Sequence, residues 1–202
     1  STIVLKGQLS ADFSASSTEG CTPVTITFSD QSSGSPTSYL WRFGNGNTST
    51  LKNPTTVYLN PGTYDVTLII DDGTNKDSIV KSDFISIYAL PDADFDLSPN
   101  LGCAPLTVNF SNTTSLGDAG IRDFTWSFGD GNTSKNEDPT NTYKSSGVYD
   151  ITLLIVDSNG CRSNETKADT VLVSASPRSR FYSKDTHFCE APAIVQFRDT
   201  SS

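Results

Sequence analysis

The chain has 202 residues, with 23 acidic and 14 basic side chains and a formal net charge of −9. That acidity excludes a nucleic-acid binder, which needs Lys and Arg to neutralise phosphates, and no apolar run approaches the ~20 residues of a membrane helix. Only 35% of residues are hydrophobic, 10% are aromatic and 54 are Ser or Thr, a mixture that disfavours helix interiors, suits strands, and carries too many regularly placed rings for a disordered chain.

In chain order, residues 1–8 come first. Thr2-Ile3-Val4-Leu5 matches Phe84-Ile85-Ser86-Ile87 and Thr170-Val171-Leu172-Val173, which close two later segments, so residues 1–8 are predicted to be the last strand of a preceding copy. A full repeat then spans 9–89. It opens with Ala11-Asp12-Phe13 and Gly20-Cys21-Thr22-Pro23. Val24, Ile26 and Phe28 alternate with Thr25 and Thr27, Tyr39, Trp41 and Phe43 with Leu40 and Arg42, and Tyr64, Val66, Leu68 and Ile70 with Asp65, Thr67 and Ile69. Each alternation predicts a strand with one buried face. Asn45-Gly46 predicts a type I′ hairpin turn, as does Asp130-Gly131 later.

A second repeat spans 90–175. Ala93-Asp94-Phe95 recurs at an offset of 82, and Trp126-Ser127-Phe128-Gly129-Asp130-Gly131-Asn132 at an offset of 85. The extra residues fall near Ser115 to Gly120, predicted to be a longer loop. Residues 176–202 repeat the opening only, with Phe181, Cys189, Pro192, Ile194 and Phe197 in their expected places. About seven short strands per ~85 residues predict an all-β fold of tandem immunoglobulin-like antiparallel β-sandwiches. Trp41 and Trp126 would be the buried core Trp of each sandwich, and Tyr64 and Tyr149 its corner tyrosines. The zero Met count implies a processed chain or a piece of something longer.

Trp-x-Phe-Gly-(Asn/Asp)-Gly-Asn, followed by Asn53-Pro54 or Asp138-Pro139, Tyr58 or Tyr143, and Gly-x-Tyr-Asp-(Val/Ile)-Thr-Leu, resembles the PKD (polycystic kidney disease) domain family. The resemblance covers nearly the whole chain; repeat one departs by carrying Asn45 for the usual Asp. It implies an immunoglobulin-like, non-catalytic module, found in surface-layer proteins, as accessory modules of secreted hydrolases, and in long adhesin arrays. The Gly-Cys-x-Pro opening with a later Asn-Gly-Cys is similar to PKD repeats of large Bacteroidota cell-surface adhesins.

Cys103 precedes the second strand of repeat two, and Cys161 follows Ser158-Asn159-Gly160. In a sandwich both can lie at one end, which predicts a Cys103–Cys161 disulfide, with two buried free thiols as the alternative. A disulfide implies an oxidising, extracellular setting. Cys21 and Cys189 have no evident partner. The one His, His187, is adjacent to Phe188-Cys189, but neighbours on a strand point to opposite faces, and no catalytic site is expected. Asp72, Asp92 and Asp94 are candidate Ca²⁺ ligands at the first junction, against the plainer reading of solvated turn carboxylates; no other cofactor is implied. Asp77-Ser78-Ile79 and Asp169-Thr170-Val171 resemble a bacterial O-glycosylation motif, placing Ser78 and Thr170 in near-equivalent loops.

The expected function is a structural segment of a tandem PKD array, forming the stalk or filament of a secreted cell-surface adhesin with a gliding or attachment role. The alternative is an accessory spacer, or a polysaccharide- or protein-binding module, of a secreted hydrolase. Neighbouring PKD repeats of the same or an adjacent chain are the expected partners, with a surface polysaccharide or protein beyond them.

Overall fold

The computed structural model describes residues 8–176, and the backbone alone of 181–183 and 197–199. The predicted strand at 1–8 therefore lies outside the described residues except at its last position, and so do His187 and Cys189.

The first repeat carries β1 (Phe13–Ala15), β2 (Glu19–Cys21), β3 (Val24–Asp30), β4 (Ser38–Arg42), β5 (Thr48–Ser49), β6 (Thr55–Tyr58), β7 (Gly62–Asp71) and β8 (Lys76–Tyr88). The second carries β9 (Phe95–Ser98), β10 (Leu101–Cys103), β11 (Leu106–Asn112), β12 (Ile121–Ser127), β13 (Thr133–Ser134), β14 (Thr140–Tyr143), β15 (Gly147–Asp157) and β16 (Arg162–Ser174). Backbone pairing of β17 (Phe181–Ser183) with β18 (Phe197–Asp199) follows. The described secondary structure is all strand.

Both repeats are wired alike. A three-stranded sheet, β1-β3-β6, faces a five-stranded one, β2-β8-β7-β4-β5; the second repeat has β14-β11-β9 and β10-β16-β15-β12-β13. β2 pairs in parallel with the end of β8, Cys21 opposite Tyr88. β10 pairs in parallel with the end of β16, Cys103 opposite Ser174. By packing, the chain divides into two compact units. One joins the first repeat through Asp94 to Thr114–Phe124 and Leu154–Asn164; the other holds Phe95–Thr113, Thr125–Leu153 and the residues from Glu165.

The period-2 pattern becomes the core directly. On β3, Ile26 and Phe28 are buried while Thr25 and Thr27 are exposed. Trp41 sits at the centre, its ring 5.2 Å from Phe13 and 5.8 Å from Phe28. Trp126 takes the same place in the second sandwich, 5.2 Å from Phe95 and 5.6 Å from Phe110. Burying each large ring contributes roughly 1.5–3 kcal/mol, and each edge-on or tilted ring pair about 0.5–1.5 kcal/mol more.

The hairpin turns differ from expectation. A type I′ turn needs positive φ at both central residues. Here the positive-φ positions are Gly44 and Gly46, and Gly129 and Gly131, with Asn45 and Asp130 outside that region. The loop is thus three residues long, closed by the Phe43 N–H on the Asn47 carbonyl.

Candidate functional site: repeated turn grooves and a disulfide turn

The Trp-x-Phe-Gly motif shapes one corner of each sandwich. Trp41 Nε1 donates to the Leu51 carbonyl at 2.9 Å, and the buried Tyr58 hydroxyl donates to the Phe43 carbonyl at 2.9 Å. Tyr64 packs on Tyr58 with ring centres 4.7 Å apart and donates its hydroxyl to the Asn60 carbonyl, four residues back. This is a tyrosine corner. Trp126, Tyr143 and Tyr149 make the same bonds to the carbonyls of Asn136, Phe128 and Ser145. Burial pushes the Tyr58 phenol well above the ordinary range and pushes Tyr143 up to about 12. Gly44 is required: at φ +77° its Cβ position would lie 2.7 Å from the Asp65 carbonyl oxygen.

Beside each corner lies an open groove, about 330 Å³ near Asn45, Asn47 and Tyr64, and about 410 Å³ near Asp130, Asn132 and Tyr149. Their hydrogen-bonding polarity is reversed. Asn45 Nδ2 donates to the Val57 carbonyl at 3.0 Å and to Thr56 Oγ1 at 3.3 Å. Asp130 Oδ2 instead accepts from Asn141 Nδ2 at 2.8 Å and from Asn132 Nδ2 at 2.9 Å. The Asn-for-Asp departure in repeat one is matched by its facing residue, Thr56 where repeat two has Asn141.

Two further pairs are repeated. Asp83 and Asp169 adopt left-handed φ of 49° and 51°. The N–H of each donates at 2.8 Å to a carboxylate of the Gly-x-Tyr-Asp motif, Asp65 or Asp150. In repeat one this accompanies a register shift between Tyr64 and Val66, so Asp65 holds a bulge. Lys81 Nζ lies 4.5 Å from the Phe13 ring centre, donates to the Phe13 carbonyl and meets Asp12 at 2.9 Å. The Lys81 contact holds the Asp12 carboxyl below its usual range. Lys167 repeats the placement, 4.6 Å from the Phe95 ring centre and bonded to the Phe95 carbonyl.

The cysteine pairing corrects the sequence expectation. Cys161 is bonded to Cys21, with Cα atoms 5.6 Å apart, and Cys103 is a free, exposed thiol. The expected Cys103–Cys161 bond fails on strand geometry. Cys103 is in register with Ser174, the last residue of β16, whereas Cys161 immediately precedes its first residue, Arg162. At ~3.3 Å per residue, a strand of this length separates its ends by tens of ångströms, against the ~4.4–6.8 Å between Cα atoms that a disulfide spans. Both bonded cysteines belong to the first compact unit. The Cys161 turn is organised by the fully buried Asp157, whose Oδ1 accepts from the N–H groups of Asn159 and Cys161 at 2.9 and 2.8 Å. In repeat one, Asp72 Oδ1 accepts likewise from Thr74 and Asn75 at 2.9 and 2.8 Å.

Of the calcium candidates, Asp72 thus has its Oδ1 engaged in this turn. Asp92 and Asp94 are exposed, and among the described residues no three His, Cys, Asp or Glu side chains form a group suited to a metal. Ser78 and Thr170 lie within strands β8 and β16 rather than in loops. They are not equivalent either: counted from the matching left-handed Asp83 and Asp169, Thr170 is the counterpart of Phe84.

A family profile described as PKD domain matches residues 8–87 and 88–173. The pre-pro-metalloprotease PrtV of Vibrio cholerae is 33% identical over 145 residues, which is 70% of this chain and 15% of that protein. Collagenase ColA of Bacillus cereus is 56% identical over 41 residues, 20% of this chain and 4% of the collagenase. The crystal structure of the PKD1 domain of Vibrio cholerae PrtV is 33% identical, covering 41% of this chain and 96% of that domain with a TM-score of 0.37. The chain thus spans a small fraction of the curated relatives it matches, 15% of PrtV.

Proposed function

The chain belongs to the PKD domain family, a family of non-catalytic modules, and from that premise we propose that it is a covalently stapled structural spacer. It would act as a segment of a tandem PKD array in an extracellular protein, such as the stalk or filament of a surface adhesin. One observation carries this: the Cys21–Cys161 bond joins a residue of one repeat to a residue of the next. A disulfide of that kind serves no recognition chemistry; it restrains how far two successive modules can part. It also supports an oxidising, extracytoplasmic compartment. The grooves are polar and open. The large apolar side chains exposed among the described residues are aliphatic, such as Leu51, Leu59, Leu101 and Leu116, and the groove rings Tyr64 and Tyr149 are half-buried, each packed on Tyr58 or Tyr143 and tied through its hydroxyl to a backbone carbonyl.

A second reading is favoured by the relatives. PrtV is named as a metalloprotease and ColA as a collagenase, so this chain can serve as an accessory spacer or substrate-binding module of a hydrolase. The mass and domain content of the parent polypeptide separate the two. An array of PKD repeats without a hydrolase domain supports the stalk; a hydrolase on the same chain overturns it. Retention of the 202-residue chain on insoluble collagen or polysaccharide would favour the binding module, since a pure spacer washes through.

A further inference from the structure

Cys103 is free and exposed, and a lone thiol says little. Its counterpart in repeat one, however, is already bonded. Cys21 follows Gly20 on β2 and lies in parallel register with Tyr88, the last residue of β8. Cys103 follows Gly102 on β10 and lies in parallel register with Ser174, the last residue of β16. The next N–H in each case reaches back to the same strand end, Thr22 to the Tyr88 carbonyl at 3.1 Å and Ala104 to the Ser174 carbonyl at 2.9 Å. The two cysteines therefore occupy one position in two copies of one fold, and the first copy shows what that position does.

Repeat two also carries the second kind of cysteine. Cys161 closes a turn on Asp157. The same turn in repeat one closes from Asp72 onto Asn75, so the first repeat has the Gly-Cys position and lacks the turn cysteine. Although repeat two holds both, they do not pair with each other: Cys161 reaches back to Cys21 and Cys103 is left over. The residues that follow open another copy, with Phe181, Cys189 and Pro192 in sequence.

We infer that Cys103 is the forward half of the next staple, forming a disulfide with a turn cysteine of the repeat that follows it in the same polypeptide, about 140 residues downstream as in the Cys21–Cys161 pair. This rests on reading the chain as an array of stapled repeats. Bond formation removes two protons and two electrons from the two thiols. A disulfide oxidant such as glutathione disulfide accepts both electrons and leaves as two thiols, through a mixed disulfide on one cysteine. The exposure of Cys103 gives the oxidant access.

The test is non-reducing peptide mapping of the native polypeptide that carries these 202 residues, denatured in iodoacetamide before digestion. The expected result is a Cys103 peptide cross-linked to a cysteine peptide beyond residue 202, with no alkylated Cys103. In Cys103→Ser, that partner cysteine becomes a new alkylation site. Alkylated Cys103, or Cys103 linked to Cys161 or Cys189, overturns the inference. The Cys21–Cys161 cross-linked peptide is the internal control: its absence removes the stapled-spacer function itself, whereas its presence beside an alkylated Cys103 removes only this inference.

Discussion

Replacing both bonded cysteines, Cys21→Ala with Cys161→Ala, opens a loop spanning 140 residues of sequence separation. The chain-entropy estimate for a loop that long is about 5 kcal/mol, near the ceiling for a single bridge, and measured values of about 2–4 kcal/mol are more usual. The folded state changes little, since the Asp157 turn keeps its own hydrogen bonds to Asn159 and Cys161 backbone. The effect therefore falls on the unfolded chain. With a urea m-value of about 2 kcal/mol/M, the unfolding midpoint followed by Trp fluorescence should fall by about 1–2 M. In the 202-residue chain, where Cys103 is an exposed free thiol, Cys103→Ser should stay within about 0.5 kcal/mol of the parent. An unchanged midpoint in the double variant, or an equal fall in Cys103→Ser, would refute the Cys21–Cys161 connectivity.

The two glycines of each hairpin loop should behave unequally. Gly44→Ala and Gly129→Ala place a methyl 2.7 Å from the Asp65 and Asp150 carbonyls, whereas Gly46→Ala and Gly131→Ala meet nothing within 4 Å. Thermal melts should show the first pair losing more than ~2 kcal/mol and the second about 1 kcal/mol; equal losses would sink the clash argument. Lys81→Met should lose about 1–3 kcal/mol through its charged hydrogen bond and ring contact. NMR titration of the same variant should show the Asp12 carboxyl returning toward its ordinary range, and an unmoved Asp12 would mean Lys81 is not its cause. Tyr143 has its folded pKa raised to about 12 from an unfolded value near 10. Its contribution is therefore full below pH ~10 and is lost as pH rises toward 12, a drop of about 2 kcal/mol at most. Urea midpoints of the parent should slope downward across that window and those of Tyr143→Phe should slope less; identical slopes would exclude this phenol.

The repeat, the sandwich class and the buried Trp41 and Trp126 were legible because each rests on local periodicity: alternate residues of a strand face one core, and the pattern survives duplication. The tyrosine corners were legible for a related reason, since their bonds run four residues back along the chain. The disulfide was not. Its connectivity depends on which end of β16 each cysteine reaches, and Cys103 and Cys161 stand close in no one-dimensional sense. The hairpin type failed because Asn-Gly was weighed without Gly44, the glycine before it, which takes one of the two positive φ values. Lys81 and Lys167 gave no signal either. Each reads as a solvent-facing residue of an alternating strand, yet its ammonium lies over a Phe from a strand about seventy residues away. The Asp of Gly-x-Tyr-Asp read as an outward residue of an alternating strand, and its carboxylate holds the N–H of a left-handed Asp eighteen or nineteen residues on.

The Cys21–Cys161 bond also decides what a pulling force on the two chain ends can reach. Tension entering at one side passes from Cys21 to Cys161 through a single S–S link, so the chain between them, a sequence separation of 140, is shielded from it even if its hydrogen bonds break. At ~3.3–3.6 Å per extended residue, that withholds roughly 450–500 Å of contour length, which only a reductant can release.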